Sequence, residues 1–138
     1  MNEPDQIIHA LKLTPHPEGG HFVETFRDND GHASLIFYLL KNGETSHWHR
    51  LTKNEILHFY DGDPMRIYLS SDGNKVSTVT LGRELDRGHE YHCVVPPGTW
   101  FSMESTGNYS LIGCTVSPAF SFDDFELAPV QWQPGNLD

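Results

Sequence analysis

Basic residues are scarce in this chain. Nine Lys and Arg stand against nineteen Asp and Glu, a formal net charge of −10 at pH 7. No cationic cluster offsets that balance, so neither nucleic acid nor an anionic membrane is expected as a partner. Long hydrophobic runs are missing too. No apolar stretch approaches the roughly 20 residues of a membrane span, and the N-terminus carries no signal-peptide pattern. A cytoplasmic location is the expectation. Cysteine is rare, with only Cys93 and Cys114. Far apart and flanked by Val94 and Thr115, they read as reduced core thiols, not as a disulfide or a metal pair. Repeats, linkers and low-complexity segments are lacking, so the 138 residues read as one domain.

Aromatics are plentiful: three Trp, five Tyr and eight Phe support a real core. Asn2, Pro4 and Asp5 suit the start of a helix, and Ile7, Ile8 and Leu11 give it an apolar stripe. It ends before Pro15. His16-Pro17-Glu18-Gly19-Gly20 is a turn. From there strand signals recur: 21–27, 34–40, 65–69, 76–81, 91–95, 100–104 and 109–116, with turns such as Asp61-Gly62-Asp63-Pro64 and Gly107-Asn108 between them. About eight to ten short strands with turns every 8–12 residues favour a sandwich or barrel. Ser34 to Leu40 is apolar on both faces. It is expected to be buried on both sides, centrally or against a partner subunit. That segment motivates the expectation of a homodimer. The tail after Phe125, with Pro129, Pro134 and Gly135, reads as an ordered arm that loosens at its end.

The stretch from Gly43 to Gly62 carries the chemistry. His47 and His49 are two apart, so in an extended strand both imidazoles aim at one point, with Trp48 opposite. Glu55 follows at the head of an apolar run and shares a face with Leu57 and Phe59. A carboxylate there costs several kcal/mol unless it is paired, protonated or metal-bound. His, His and Glu make a three-ligand set with open positions, suited to Fe, Mn, Ni or Zn. The competing reading is a hydrogen-bonded pair in a barrel mouth without metal, with Glu55 accepting from His49 or Arg50. His58 lies opposite Glu55 by parity and reads as surface or interface. For His92, alternation leaves pocket and exterior both open. Glu18 reads equally as a pocket residue or a turn stabiliser. Arg27 and Arg66 read as partners of nearby acids.

The pattern His47-x-His49, then Glu55, then Gly62 resembles the first signature of the cupins, the RmlC-like jelly-roll superfamily. Gly88 and Pro96-Pro97-Gly98 are similar to its second signature, in which Phe101 stands where the closing His is expected. The HPEGG string and Ser46-His47-Trp48-His49-Arg50 resemble a functionally unassigned, Cupin_5-like branch. Leu81-Gly82, the stretch from Val95 to Trp100 and that from Gly113 to Pro118 match the same branch. The likeness runs from Leu13 to Pro129. It implies an all-β fold, a double-stranded β-helix or jelly-roll barrel with one short N-terminal helix. The helix is placed at 1–14, the barrel core at 20–118 and a C-terminal arm at 119–138.

The resemblance implies a small-molecule site in the barrel mouth. The expected enzyme is of isomerase or epimerase type and acts on a small polar substrate, sugar-like or nucleotide-linked. His49 and Glu55 would be its acid–base pair, and Phe59, His92 and Phe101 would line its substrate site. Its metal ligands would be His47, His49 and Glu55, holding one divalent ion, or none. The alternatives are a non-enzymatic ligand-binding cupin and a metal-dependent isomerase or dioxygenase.

Overall fold

The structure is a computed structural model that describes residues 2–135. Helix α1 spans Glu3–Leu11. The Asn2 side chain accepts from Asp5 N at 3.0 Å and caps it, so the first-turn donors have the partner they need. Eleven strands follow: β1 (Thr14–Pro15), β2 (His21–Arg27), β3 (Ser34–Lys41), β4 (Thr45–Leu51), β5 (Asn54–Gly62), β6 (Met65–Ser70), β7 (Ser77–Leu81), β8 (His92–Val95), β9 (Trp100–Ser105), β10 (Tyr109–Ser117) and β11 (Phe125–Leu127). They form a six-stranded sheet ordered β1-β2-β3-β10-β5-β8 and a five-stranded sheet ordered β11-β4-β9-β6-β7. All pairings between named strands are antiparallel.

Period-2 alternation builds the space between the sheets. Tyr38, Leu40, Leu57, Ile67, Phe101, Met103 and Ile112 point inward and are almost fully buried. The outer face of β3 is apolar as well, and the same chain covers it. Leu39 and Phe37 pack with Leu13, Tyr109 and Leu111 beneath Ile7, Ile8 and Leu11 of α1. The two-faced burial of Ser34 to Leu40 is therefore met inside the protomer. The feature that suggested a partner subunit has an intramolecular cover.

The tail after the barrel core packs back onto it over the described residues, and its last three residues, where the arm was expected to loosen, lie outside them. Phe125–Leu127 pairs with β4 in the register Phe125↔Leu51 and Leu127↔His49. Beyond it, Trp132 packs against Trp100 at 4.7 Å and Trp48 at 6.2 Å between ring centroids. Arg50 lies over Trp100 at 4.3 Å, a cation–π contact. All three tryptophans of the chain thus gather on the outer side of the five-stranded sheet. No helix among the described residues is long and apolar enough to cross a membrane.

Candidate active site

One mouth of the barrel opens as a cavity of about 370 Å³. Its titratable side chains include His16 and Glu18 from the turn after β1, Glu24 and Arg27 from β2, His49 from β4 and Glu55 from β5. The HPEGG turn delivers Glu18. Gly19 and Gly20 have φ of +111° and +78°, where a side chain is strained. A Cβ on Gly19 would strike Thr45 O, and one on Gly20 would lie 2.8 Å from Leu39 O. The turn is pinned to β4 by His47 N donating to Glu18 O at 2.8 Å. The motif therefore exists to press its backbone against the barrel and aim Glu18 inward.

His49 is the partner of Glu18. Its Nδ1 lies 3.0 Å from Glu18 Oε2 and 2.7 Å from His47 O. Both neighbours are acceptors, so Nδ1 carries the proton. Ser46 Oγ also donates to Glu18 Oε2. His16 Nδ1 accepts from Glu18 N at 3.1 Å. That nitrogen is unprotonated, so its 3.4 Å approach to Glu18 Oε1 is not an ion pair of the neutral ring.

The electrostatics follow from this geometry. Burial opposes charge on both His49 and Glu18, yet their mutual attraction outweighs it. The His49 pKa is raised and that of Glu18 lowered. Burial lowers the pKa of His16 against the pull of Glu18. Glu55 has no cation within ion-pairing distance among the described residues. Burial first, and Glu18 after it, push its pKa up to about 7 against the pull of His49. The Cys114 thiol, buried beside Glu55, is held well above its ordinary range, so it is not a nucleophile at neutral pH.

The expected convergence of His47 and His49 is not found. The β4–β9 register shifts between Ser46 and His49. That irregularity breaks the alternation on which the convergence rested. Ser46 and His49 both face inward, while His47 Nε2 bonds Pro129 O at 3.0 Å on the side of the tail. Glu55 does not bond His49, because Glu18 takes that place. Phe101 is fully buried and stands behind His49, ring centroids 4.1 Å apart. It forms a floor and does not wall the mouth. Phe59 belongs to the core and borders a separate cleft with Arg83 and His89. His92 is exposed opposite His58 on the outer sheet face.

Nor do the residues fit the metal site. His47 is turned away, the ring nitrogen of His49 facing Glu18 is occupied, and Phe101 offers no ligand. Among the described residues, one group of three metal-type side chains has its ligand atoms within 4.8 Å of one another: Asp28, Asp30 and His32. It lies on the loop between β2 and β3, and Asp28 there accepts from the backbone of Asp30 and His32.

Sequence reasoning gave His16 no role and left Glu18 undecided. It also missed Phe120, Phe122 and Phe125, which line the cavity. The HPEGG motif was the available signal for the first two. The tail phenylalanines left none.

Residues 5–128 match the family described as Cupin superfamily (DUF985). The chain belongs to that family. Protein SO0799 from Shewanella oneidensis is 38% identical, with a TM-score of 0.87 over 93% of this chain and 85% of that one. A hypothetical protein from Leishmania major is 28% identical, with a TM-score of 0.83 over 92% of this chain and 88% of that one. Oxalate decarboxylase from Bacillus subtilis is similar at 13% identity and a TM-score of 0.66, over 82% of this cupin and 29% of that chain. At that identity the likeness concerns the fold alone, the jelly-roll barrel. No curated protein matches the chain.

Proposed function

We propose that this cupin is an enzyme of isomerase type that moves a proton beside the carbonyl of a small molecule in the barrel mouth. His49 and Glu55 handle the proton, and Glu18 positions His49. One observation carries the reading. An imidazole held by a buried carboxylate and a second carboxylate, Glu55, whose side-chain partner is the Cys114 thiol and not a cation, line the same cavity. They do not bond each other, and both face the cavity in which a substrate would sit.

With Nδ1–H fixed on Glu18 and the His47 carbonyl, the other ring nitrogen, Nε2, exchanges the proton. Glu18 favours the imidazolium, so His49 enters as the acid. Glu55, with its pKa near 7, ionises close to neutrality and is the base. Its carboxylate takes the α-proton, and the C–H electron pair becomes the C=C bond. The carbonyl oxygen receives the Nε2 proton. Return of the proton to another carbon, or to the other face, gives an isomer or epimer. Nothing is oxidised or reduced.

The test is α-hydrogen exchange in D2O, followed by NMR over a panel of carbonyl compounds. The protein should accelerate exchange of at least one compound. His49→Asn and Glu55→Gln should each slow it by about a hundredfold or more. Equal rates in the variants would end the reading. A second reading, a non-enzymatic receptacle, is favoured by the apolar walls of the cavity, and saturable binding without exchange would select it.

For assembly we propose a homodimer. Tyr60, Tyr91 and Val94 are exposed around β5 and β8, an apolar area that α1 does not cover. Light scattering that gives only the monomer mass at micromolar concentration would remove it.

A further inference from the structure

The cavity has little with which to hold an anion. Arg27, at its rim, is committed: Nε and Nη2 each meet a Glu24 carboxylate oxygen at 2.9 Å, and Nη2 also bonds Phe120 O at 3.0 Å. Lys53 is tied to Asp124 at 2.7 Å. The charge of His49 is already matched by Glu18. An incoming phosphate or carboxylate would therefore find no uncommitted cation among the described residues lining the cavity, and ionised Glu55 would repel it in a poorly solvated site.

The walls favour something flat and apolar. Phe120, Phe122 and Phe125 form an edge-to-face cluster, with centroids 4.9 to 6.1 Å apart and interplanar angles from 67° to 83°. Phe125 also lies 5.6 Å from the His49 ring. Phe122 is 56% exposed at the mouth, apolar area that a bound ring would remove from water. A cavity of about 150 Å³ holds benzene. About 370 Å³ thus admits a one- or two-ring molecule with a short side chain.

We propose that the site takes an uncharged aromatic carbonyl compound, its ring against Phe122 and Phe125 and its carbonyl between His49 and Glu55. This rests on the proton-transfer reading above for the carbonyl and on the walls and charges for the ring. It departs from the sugar-like or nucleotide-linked substrate expected from sequence.

Four probes test it by titration calorimetry: phenylacetone, phenylpyruvate, dihydroxyacetone and dihydroxyacetone phosphate. Phenylacetone should bind at least about tenfold tighter than each of the others, a difference of about 1.4 kcal/mol. Phe122→Ala, a change at a half-exposed position, should weaken phenylacetone binding about threefold to tenfold while the protein keeps a cooperative melt, lowered only by the loss of its ring contacts. Tighter binding of either anion or of dihydroxyacetone, no binding of phenylacetone, or an unaltered Phe122→Ala variant would overturn the proposal. The same samples in D2O separate the two readings. The expected binding order without α-hydrogen exchange leaves the ligand class standing and removes the proton transfer. Exchange confined to dihydroxyacetone or its phosphate does the reverse.

Discussion

Glu18 and His49 meet at 3.0 Å inside the barrel, one from a turn beside the six-stranded sheet and the other from a strand of the five-stranded sheet. The pair joins the two layers at the mouth, and replacing one partner strands the other. Glu18→Gln keeps the shape and removes the charge. The His49 pKa should then fall, as read by NMR titration of the imidazole. Stability should drop by about 1–3 kcal/mol. The drop should be larger at pH 5.5 than at pH 8, because acid forces His49 to carry a buried charge without its counterion.

Glu55 makes an opposite contribution to the pH profile. Its folded pKa of about 7 lies above the ordinary 4.5. Between those values the folded state holds a proton that the unfolded chain has lost. Stability from this group is full below pH 4.5 and is lost as pH rises through 7. The shift corresponds to a loss on the order of 3 kcal/mol. Glu55→Gln mimics the protonated acid and should remove that part of the slope. Denaturant midpoints of the two proteins from pH 4.5 to 8 should therefore agree in acid and diverge upward, with the variant the more stable at pH 8.

Two glycines with positive φ should respond differently to the same change. Gly31→Ala, at φ +76° with nothing near its Cβ, should cost about 1–2 kcal/mol from backbone strain alone. Gly19→Ala adds a collision with Thr45 O and should cost more. It should also displace Glu18, so loss of the raised His49 pKa accompanies the loss of stability. Paired thermal melts and the imidazole titration check both parts.

Trp132→Ala tests the tail. It removes the ring between Trp48 and Trp100 and should cost about 1–2 kcal/mol. Tryptophan emission should shift to the red as Trp100 gains water, while the His49 titration stays in place. A variant with parental stability would show that the tail packing carries no weight.

The barrel was legible because strand alternation and turn residues speak locally. The segments 21–27, 34–40, 65–69 and 109–116 all fall within strands that the structure contains. The site was less legible. Parity assigned His47 and His49 to one face, but the irregularity in β4 is set by pairing with β9 and has no signature in the local pattern. Glu55 was read as buried on an apolar face, which it is. Its bond to His49 was misread because the competitor, Glu18, lies outside that stretch of chain. Phe125 sat in a tail rich in turn residues, and its short strand forms only because β4 offers a free edge.

The placement of Phe125 has a consequence for synthesis. Its ring lies 6.3 Å from that of His16, so the cavity is closed by parts from near both ends of the chain. A nascent polypeptide that has emerged as far as Ser117 already contains every residue of β1 to β10. Such a chain also contains Glu18 and His49, but it lacks Phe120, Phe122 and Phe125, which line one flank of the mouth. Completing that flank of the mouth requires Phe125, which follows every residue of β1 to β10 in the chain.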